Sequence, residues 1–288
     1  YKRFFMKKIQ IIFITFLLFC FSSCLSENHV FDTPGADFIP DSFNWEIITE
    51  EIKYANVSIP DFPLIYHVVQ LDLKSRDIEI CDYYENGINS DQAKLISHLN
   101  KKMKPIVLTN TSPFKYSNGL ALKFFWMPST YKNIGIHISN KTLKSMPVER
   151  YCALTFFQNE DESWRAEIFD NQMEIIEHNP DFAFGGFYTI LRDYEILSFP
   201  ANNYDSRSGC GISENGQKIF LLAVEGEKQN QSIGLSYPAC AEIFLALGCK
   251  DAMQFDGGGT TCLFVGGRNK LSYRPFRKSP AFFGVREK

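Results

Sequence analysis

Residues 251–261 read Asp-Ala-Met-Gln-Phe-Asp-Gly-Gly-Gly-Thr-Thr. A short apolar strand ends in an acid, and three glycines and two hydroxyls follow. Glycine loses more backbone entropy on ordering than any other residue. Three in succession therefore mark either a tight turn between strands or a place where bare backbone approaches something closely. Amides in such a loop can form a concavity for an anion. The acid at its head, Asp256, has the chemistry of a base, a nucleophile or a metal ligand.

Working outward, Ser236 is placed to cap a helix, with Pro238 tolerated in its first turn and Gly248 suited to its end. Before it, "KIFLLAVEG" (218–226) is a fuller apolar strand that ends in Glu225 and a glycine. Before that, "DSRSGCGIS" (205–213) sets Arg207 among small residues. A guanidinium so placed can present its fork to a carboxylate or phosphate, or pair with Asp205 as a structural ion pair. Residues 133–199 read as meandering antiparallel strands separated by turn formers such as "NEDES" and "RDY". "PLIYHVVQLDL" and "DIEICDYY" predict a hairpin turning at "KSR" (74–76), and the period changes to helical over 90–103. "PIVLTN" predicts a strand that ends at Asn110, and the aromatic-rich 111–131 reads as a lid or a surface cover.

The chain has 288 residues, 45% of them hydrophobic, and a net charge of −3. That is enough for a sizeable core, and no basic patch points to nucleic acid. Met6-Lys7-Lys8, the apolar run "IQIIFITFLLFCF" and Ser22-Ser23-Cys24 read as an export signal ending at a lipidation site. The expected layout is a signal over 1–24 with a lipid on Cys24 that anchors the protein to a membrane, a tether over 25–62, and one domain over 63–288. The expected fold class is α+β, a mixed, largely antiparallel sheet with a few packed helices. Six further cysteines show no metal spacing. There is no Gly-x-Ser-x-Gly and no His-Glu-x-x-His. The histidines at 67, 98, 137 and 178 are scattered and read as satisfied rather than catalytic.

Together, Arg207-Ser208, Gly211, Glu225-Gly226, Gly234 and Asp256-Gly257-Gly258-Gly259-Thr260, with Asn110 upstream, resemble the motif order of the phosphodiester glycosidase domain family. The resemblance covers roughly residues 64–286. It departs at Glu225, where Asp is usual, at Thr111, where Gly is usual, and at Thr260, where Ser is usual. It implies hydrolysis of a sugar 1-phosphodiester to free sugar and a phosphomonoester. A phosphate leaving group is already anionic and needs little protonation. One carboxylate plus cationic or N–H-rich surroundings would then suffice, rather than the full acid–base pair of ordinary glycosidases. On this reading Asp256 leads the chemistry, with Glu225 and Arg207 beside it. Asn110, Ser208, Gly257, Gly258, Gly259 and Thr260 would hold the phosphate. No cofactor is called for, and no metal cluster is visible, although Asp256 could accept one divalent cation. The alternative is a sugar-phosphate-binding protein on the same fold without turnover.

Overall fold

The computed structural model describes residues 38–59, 62–85, 99, 101–116, 131–199, 203–275 and 277–288. All strand pairs among the described residues are antiparallel, so the expected mixture of directions is corrected. The strands form one eight-stranded sheet, two five-stranded sheets and a two-stranded pair. The large sheet runs in the order 46–47, 52–59, 64–72, 218–224, 207–212, 251–254, 189–192, 195–196.

Both faces of this sheet are covered. Along Lys218–Val224, the side chains of Ile219, Leu221 and Ala223 enter a core shared with the two five-stranded sheets. Phe220, Leu222 and Val224 enter a second core against a helix. A strand buried on both sides reads as an unbroken apolar run, which is why this segment is the most hydrophobic of the set. Each such large side chain contributes roughly 1.5–3 kcal/mol by leaving water.

The helices are few. The four-residue turn α1 spans Ile175–His178, and the ten-residue α2 spans Tyr237–Ala246. The expected cap of α2 is present: the Ser236 hydroxyl accepts a hydrogen bond from the Ala239 N–H at 3.3 Å. At its other end Gly248, at φ +78°, lets the chain reverse. The Gly248 N–H then reaches the Leu245 carbonyl and the Cys249 N–H reaches that of Phe244, both at 2.9 Å. This double bond pattern satisfies carbonyls that a helix end otherwise orphans. Most of the helix expected over 90–103 lies outside the described residues; Leu99 and 101–103 are helical. Residues 117–130 of the expected aromatic loop are also outside them.

Two expectations are corrected. The tether does not extend to residue 62, because Ile52–Ile59 is a strand paired along its length with Leu64–Asp72, with Ile52, Tyr54 and Ala55 buried. The alternation of its side chains between two packed faces, not their overall hydrophobicity, makes it part of the sheet. The segments around "KSR" do not form a hairpin either. Leu64–Asp72 belongs to the eight-stranded sheet, while Ile78–Tyr84 is the edge of a five-stranded one, paired with Ala281–Glu287. The chain crosses between layers at 74–76. "FAFGGFYTIL" likewise divides, with Phe182–Gly185 in a five-stranded sheet and Thr189–Arg192 in the large one. All six cysteines after the amino-terminal segment are free and buried, and act as small apolar fillers.

Ser236→Ala removes the cap of the one sizeable described helix. It should lower unfolding free energy by about 1 kcal/mol and the melting temperature by roughly 2–4 °C, measured by urea and thermal unfolding.

Candidate functional site

Three strands of the large sheet deliver the predicted acids and base to one end. Arg207 lies opposite Val224, and Gly209 opposite Gln254. Glu225 and Asp256 therefore leave the flanking strands at the end where Arg207 enters the middle one.

The Asp256 loop is held from several sides. Asn110 ends the strand Val107–Asn110 in a five-stranded sheet and is fully buried. Its Nδ2 donates to the Asp256 carbonyl at 2.6 Å, and its Oδ1 accepts from the Cys262 N–H at 3.0 Å. One carboxamide thus clamps both ends of the glycine loop. The next residue, Thr111, accepts the Asp256 N–H at 2.8 Å through its carbonyl. The loop closes as a single 3-10 turn over Gly258–Thr260. A Cβ on Gly257 would sit 2.7 Å from the Ser206 carbonyl, and Gly258 has φ +59°, so neither tolerates a side chain.

Most of the loop's amides are engaged within the protein. The N–H groups of Asp256, Gly258, Thr260, Thr261 and Cys262 all bond within the protein, to Thr111, Ser206, Gly257, Gly258 and Asn110. The Thr260 hydroxyl donates to the Gly257 carbonyl at 2.7 Å. Gly259 is buried in the same turn. Gly257 is needed for close packing against residues 206–207, and Gly258 for its left-handed backbone. Asn110 is likewise committed to the loop rather than to a ligand. Ser208 is fully buried, its hydroxyl 3.3 Å from that of Thr109 in the inter-sheet core.

Arg207 is 6% exposed. Its Nε donates to the Leu235 carbonyl at 2.8 Å and its Nη2 to the Asn203 carbonyl at 2.7 Å. Its guanidinium lies 4.3 Å from the centre of the Tyr237 ring. Backbone carbonyls, not Asp205, are its hydrogen-bond partners, and it staples the loop before its own strand to the loop before α2.

Glu225 faces the other way. Val224 packs on the helix side, and Glu225 meets His67, which shares a face with Val69 and Leu71 of the inter-sheet core. His67 Nε2 lies 2.9 Å from Glu225 Oε1, which also accepts the Ser272 N–H at 2.7 Å; the Ser272 hydroxyl donates to Oε2. Behind it, Tyr54 OH lies 2.8 Å from His67 Nδ1. Burial works against the carboxylate, but the His67 and Ser272 hydrogen bonds outweigh it and hold its pKa below the ordinary value. Both oxygens are engaged, so Glu225 is a strut for the segment around 272 and does not join Asp256.

That segment delivers what the sequence reading missed. Arg277 donates its backbone N–H to the Gly259 carbonyl at 3.1 Å, and its exposed side chain acts electrostatically on Asp256. The Asp205 carboxylate also overhangs the loop: its Oδ2 is 3.7 Å and its Oδ1 3.9 Å from where a Gly258 Cβ would be. Burial pushes the Asp256 carboxyl up to about 6, against the Thr260 hydroxyl and Arg277, with the Asp205 charge adding to the rise. The signal for Asp205 was its place beside Arg207; "RPFRK" (274–278) was visible only as scattered basic residues. Among the described residues no group of three or more His, Cys, Asp or Glu is arranged to hold a metal ion.

A separate groove of about 580 Å³ lies between the edges of the two smaller sheets, lined by Glu79, Asp82, Tyr84, Ser139 and Arg286 among others. It contains none of the residues above.

The phosphodiester glycosidase family model matches residues 120–286, more than half of the chain. The chain belongs to the phosphodiester glycosidase family. No curated protein sequence matches it. Among solved structures, a hypothetical protein from Synechocystis superposes with a TM-score of 0.61 at 12% identity, over 85% of this chain and 64% of that one. A Burkholderia pseudomallei protein assigned as exported gives 0.58 at 12%, over 77% and 74%. The catalytic domain of zebrafish N-acetylglucosamine-1-phosphodiester alpha-N-acetylglucosaminidase, auto-inhibited by its pro-peptide, gives 0.58 at 14%, over 87% of each chain. At these identities the likeness concerns the fold.

Glu225→Gln keeps the shape but removes the charge that His67 and Ser272 were arranged around. Breaking a buried pair of this kind costs about 3 kcal/mol. Because the folded pKa is depressed, this stabilisation is complete above the ordinary value of 4.5 and is lost as pH falls below it. Urea unfolding at pH 7 and pH 3 should show a large difference between the wild type and Glu225→Gln at the first and a small one at the second.

Proposed function

We propose that this chain hydrolyses a sugar 1-phosphodiester at the anomeric carbon, releasing free sugar and a phosphomonoester. The observation that carries the reading is Asp256: a carboxyl brought to about 6 on a clamped glycine loop, within the fields of the Arg277 guanidinium and the Asp205 carboxylate. A base works best with a pKa near the operating pH. At neutral pH Asp256 is largely ionised. It accepts a proton from the attacking water, or attacks the anomeric carbon directly, as the carbon–oxygen bond to phosphate breaks. The leaving monoester takes the electron pair as an anion, and the Arg277 cation is the group assigned to offset that charge. Arg207 and Glu225 act by position, one stapling the loops beside the site and the other holding the segment that carries Arg277. No step requires a cofactor.

Family membership supports a carbohydrate phosphodiester as the substrate class. The apolar run before Cys24 supports export and lipid anchoring in a bacterial envelope, with an envelope or extracellular glycan as the natural target. Among the described residues no helix is long and apolar enough to cross a membrane. Expressed in a bacterial host, the full chain should fractionate with membranes, and Cys24→Ala should release it.

The purified protein should liberate sugar and phosphomonoester from at least one of a panel of sugar 1-phosphodiesters. Binding without product across the panel would favour the sugar-phosphate-binding alternative. Asp256→Asn should lower kcat by at least a thousandfold. It should also raise stability at pH 7 by about 2 kcal/mol, because a carboxylate with an elevated pKa is ionised there at a cost. The kcat/KM of the wild type should rise with pH through about 6. Arg277→Ala should move that limb upward and Asp205→Asn downward, since the first removes a charge that favours the carboxylate and the second one that opposes it.

A further inference from the structure

Five aromatic rings form a continuous arc beside Asp256. Tyr151 packs on Phe187 at 5.4 Å between ring centres and on Tyr188 at 6.5 Å. Tyr188 meets Phe199 and Tyr237, each at 6.1 Å, and these two meet at 5.3 Å. The arc ends on the Arg207 guanidinium over Tyr237.

Two observations tie this arc to the reacting group rather than to the general surface. Phe187 and Tyr188 are stitched to the strand that leads into Asp256: the Phe187 N–H donates to the Gln254 carbonyl at 2.8 Å, and the Gln254 N–H to the Tyr188 carbonyl at 2.9 Å. Tyr151, at the near end, lies within the field of the Asp256 carboxylate. Burial does not account for the central ring, since Tyr188 is 44% exposed. Aromatic faces carry negative charge density, and the axial C–H bonds of a pyranose present a weakly positive, apolar face of matching size. The same faces stabilise the positive charge that grows on the ring as the anomeric bond breaks.

We propose that Tyr188, flanked by Tyr151 and Tyr237, is the platform on which the pyranose of the substrate stacks, with its anomeric carbon toward Asp256 and its phosphate toward Arg277. The inference rests on the reading of Asp256 above and adds where the sugar lies. It assigns selectivity for a pyranosyl phosphate over bare phosphate to the arc rather than to the glycine loop.

Two ligands separate the terms: N-acetyl-α-D-glucosamine 1-phosphate and inorganic phosphate. Affinity is read by calorimetry and contact by saturation-transfer NMR. The wild type should bind the sugar phosphate at least tenfold tighter than phosphate, with saturation strongest on the ring C–H protons. Tyr188→Ala should weaken the sugar phosphate at least tenfold and change phosphate less than twofold. Tyr188→Phe, which keeps the ring, should retain wild-type affinity. The urea midpoint of Tyr188→Ala checks that the fold is intact. Equal loss for both ligands, no loss for either, or no preference of the wild type for the sugar phosphate would overturn the platform. If the platform holds while no diester is hydrolysed, the hydrolytic reading fails and the stacking surface stands. If turnover is found and Tyr188→Ala leaves KM unchanged, the reverse is true.

Discussion

Covering both faces of the large sheet constrains everything else in the molecule. Alternate side chains of its central strands enter two different apolar cores. A polar or charged group in mid-strand would have to be buried without water, at a cost of several kcal/mol unless it is fully paired. Polar chemistry is thereby displaced to the strand ends. Arg207 stands where one strand enters, and Glu225 and Asp256 stand where its two neighbours leave. The antiparallel register brings those three points to the same end.

Proximity at a sheet end does not make the groups equivalent. Alternation sends Arg207 to the helix side and Glu225 to the inter-sheet side. There His67, buried among apolar neighbours, supplies a nearly dry partner, and Ser272 completes the shell. Asp256 sits beyond the strand, on a loop held by Asn110, Thr111 and Ser206. The Thr260 and Gly257 hydrogen bonds to its carboxyl do not offset the cost of burial. The same internal bonding makes the loop rigid. A rigid loop can hold a carboxyl at an elevated pKa, because the loop cannot relax to solvate it.

The region around Asp256 is assembled from segments remote in the chain: the end of the strand at 110, the turn at 205–207, the loop at 256–262 and the segment at 272–277. Only the second and third are joined by strand pairing within one sheet. The first comes from a smaller sheet, and the last is drawn in by Glu225 and by the Gly259 carbonyl. A change in any clamp should therefore be felt at Asp256 without touching it.

Local sequence chemistry settled several features unaided. The strand of Lys218–Val224, the cap and stop of α2 and the tight loop after Phe255 follow from side-chain period, hydroxyl capping and glycine content. Those are short-range properties. The strand at 52–59 was hidden because its pattern is weak until Leu64–Asp72 lies beside it. The crossover at 74–76 looked like a hairpin because a turn sequence does not say which sheet the next strand joins. The roles of Glu225, Asn110, Ser208 and the glycines, and the presence of Asp205, Arg277 and the Tyr188 arc beside Asp256, depended on tertiary structure alone. Whether a polar atom is free or already bonded is set by distant partners, 158 residues apart for His67 and Glu225, and nothing in the local sequence encodes that distance.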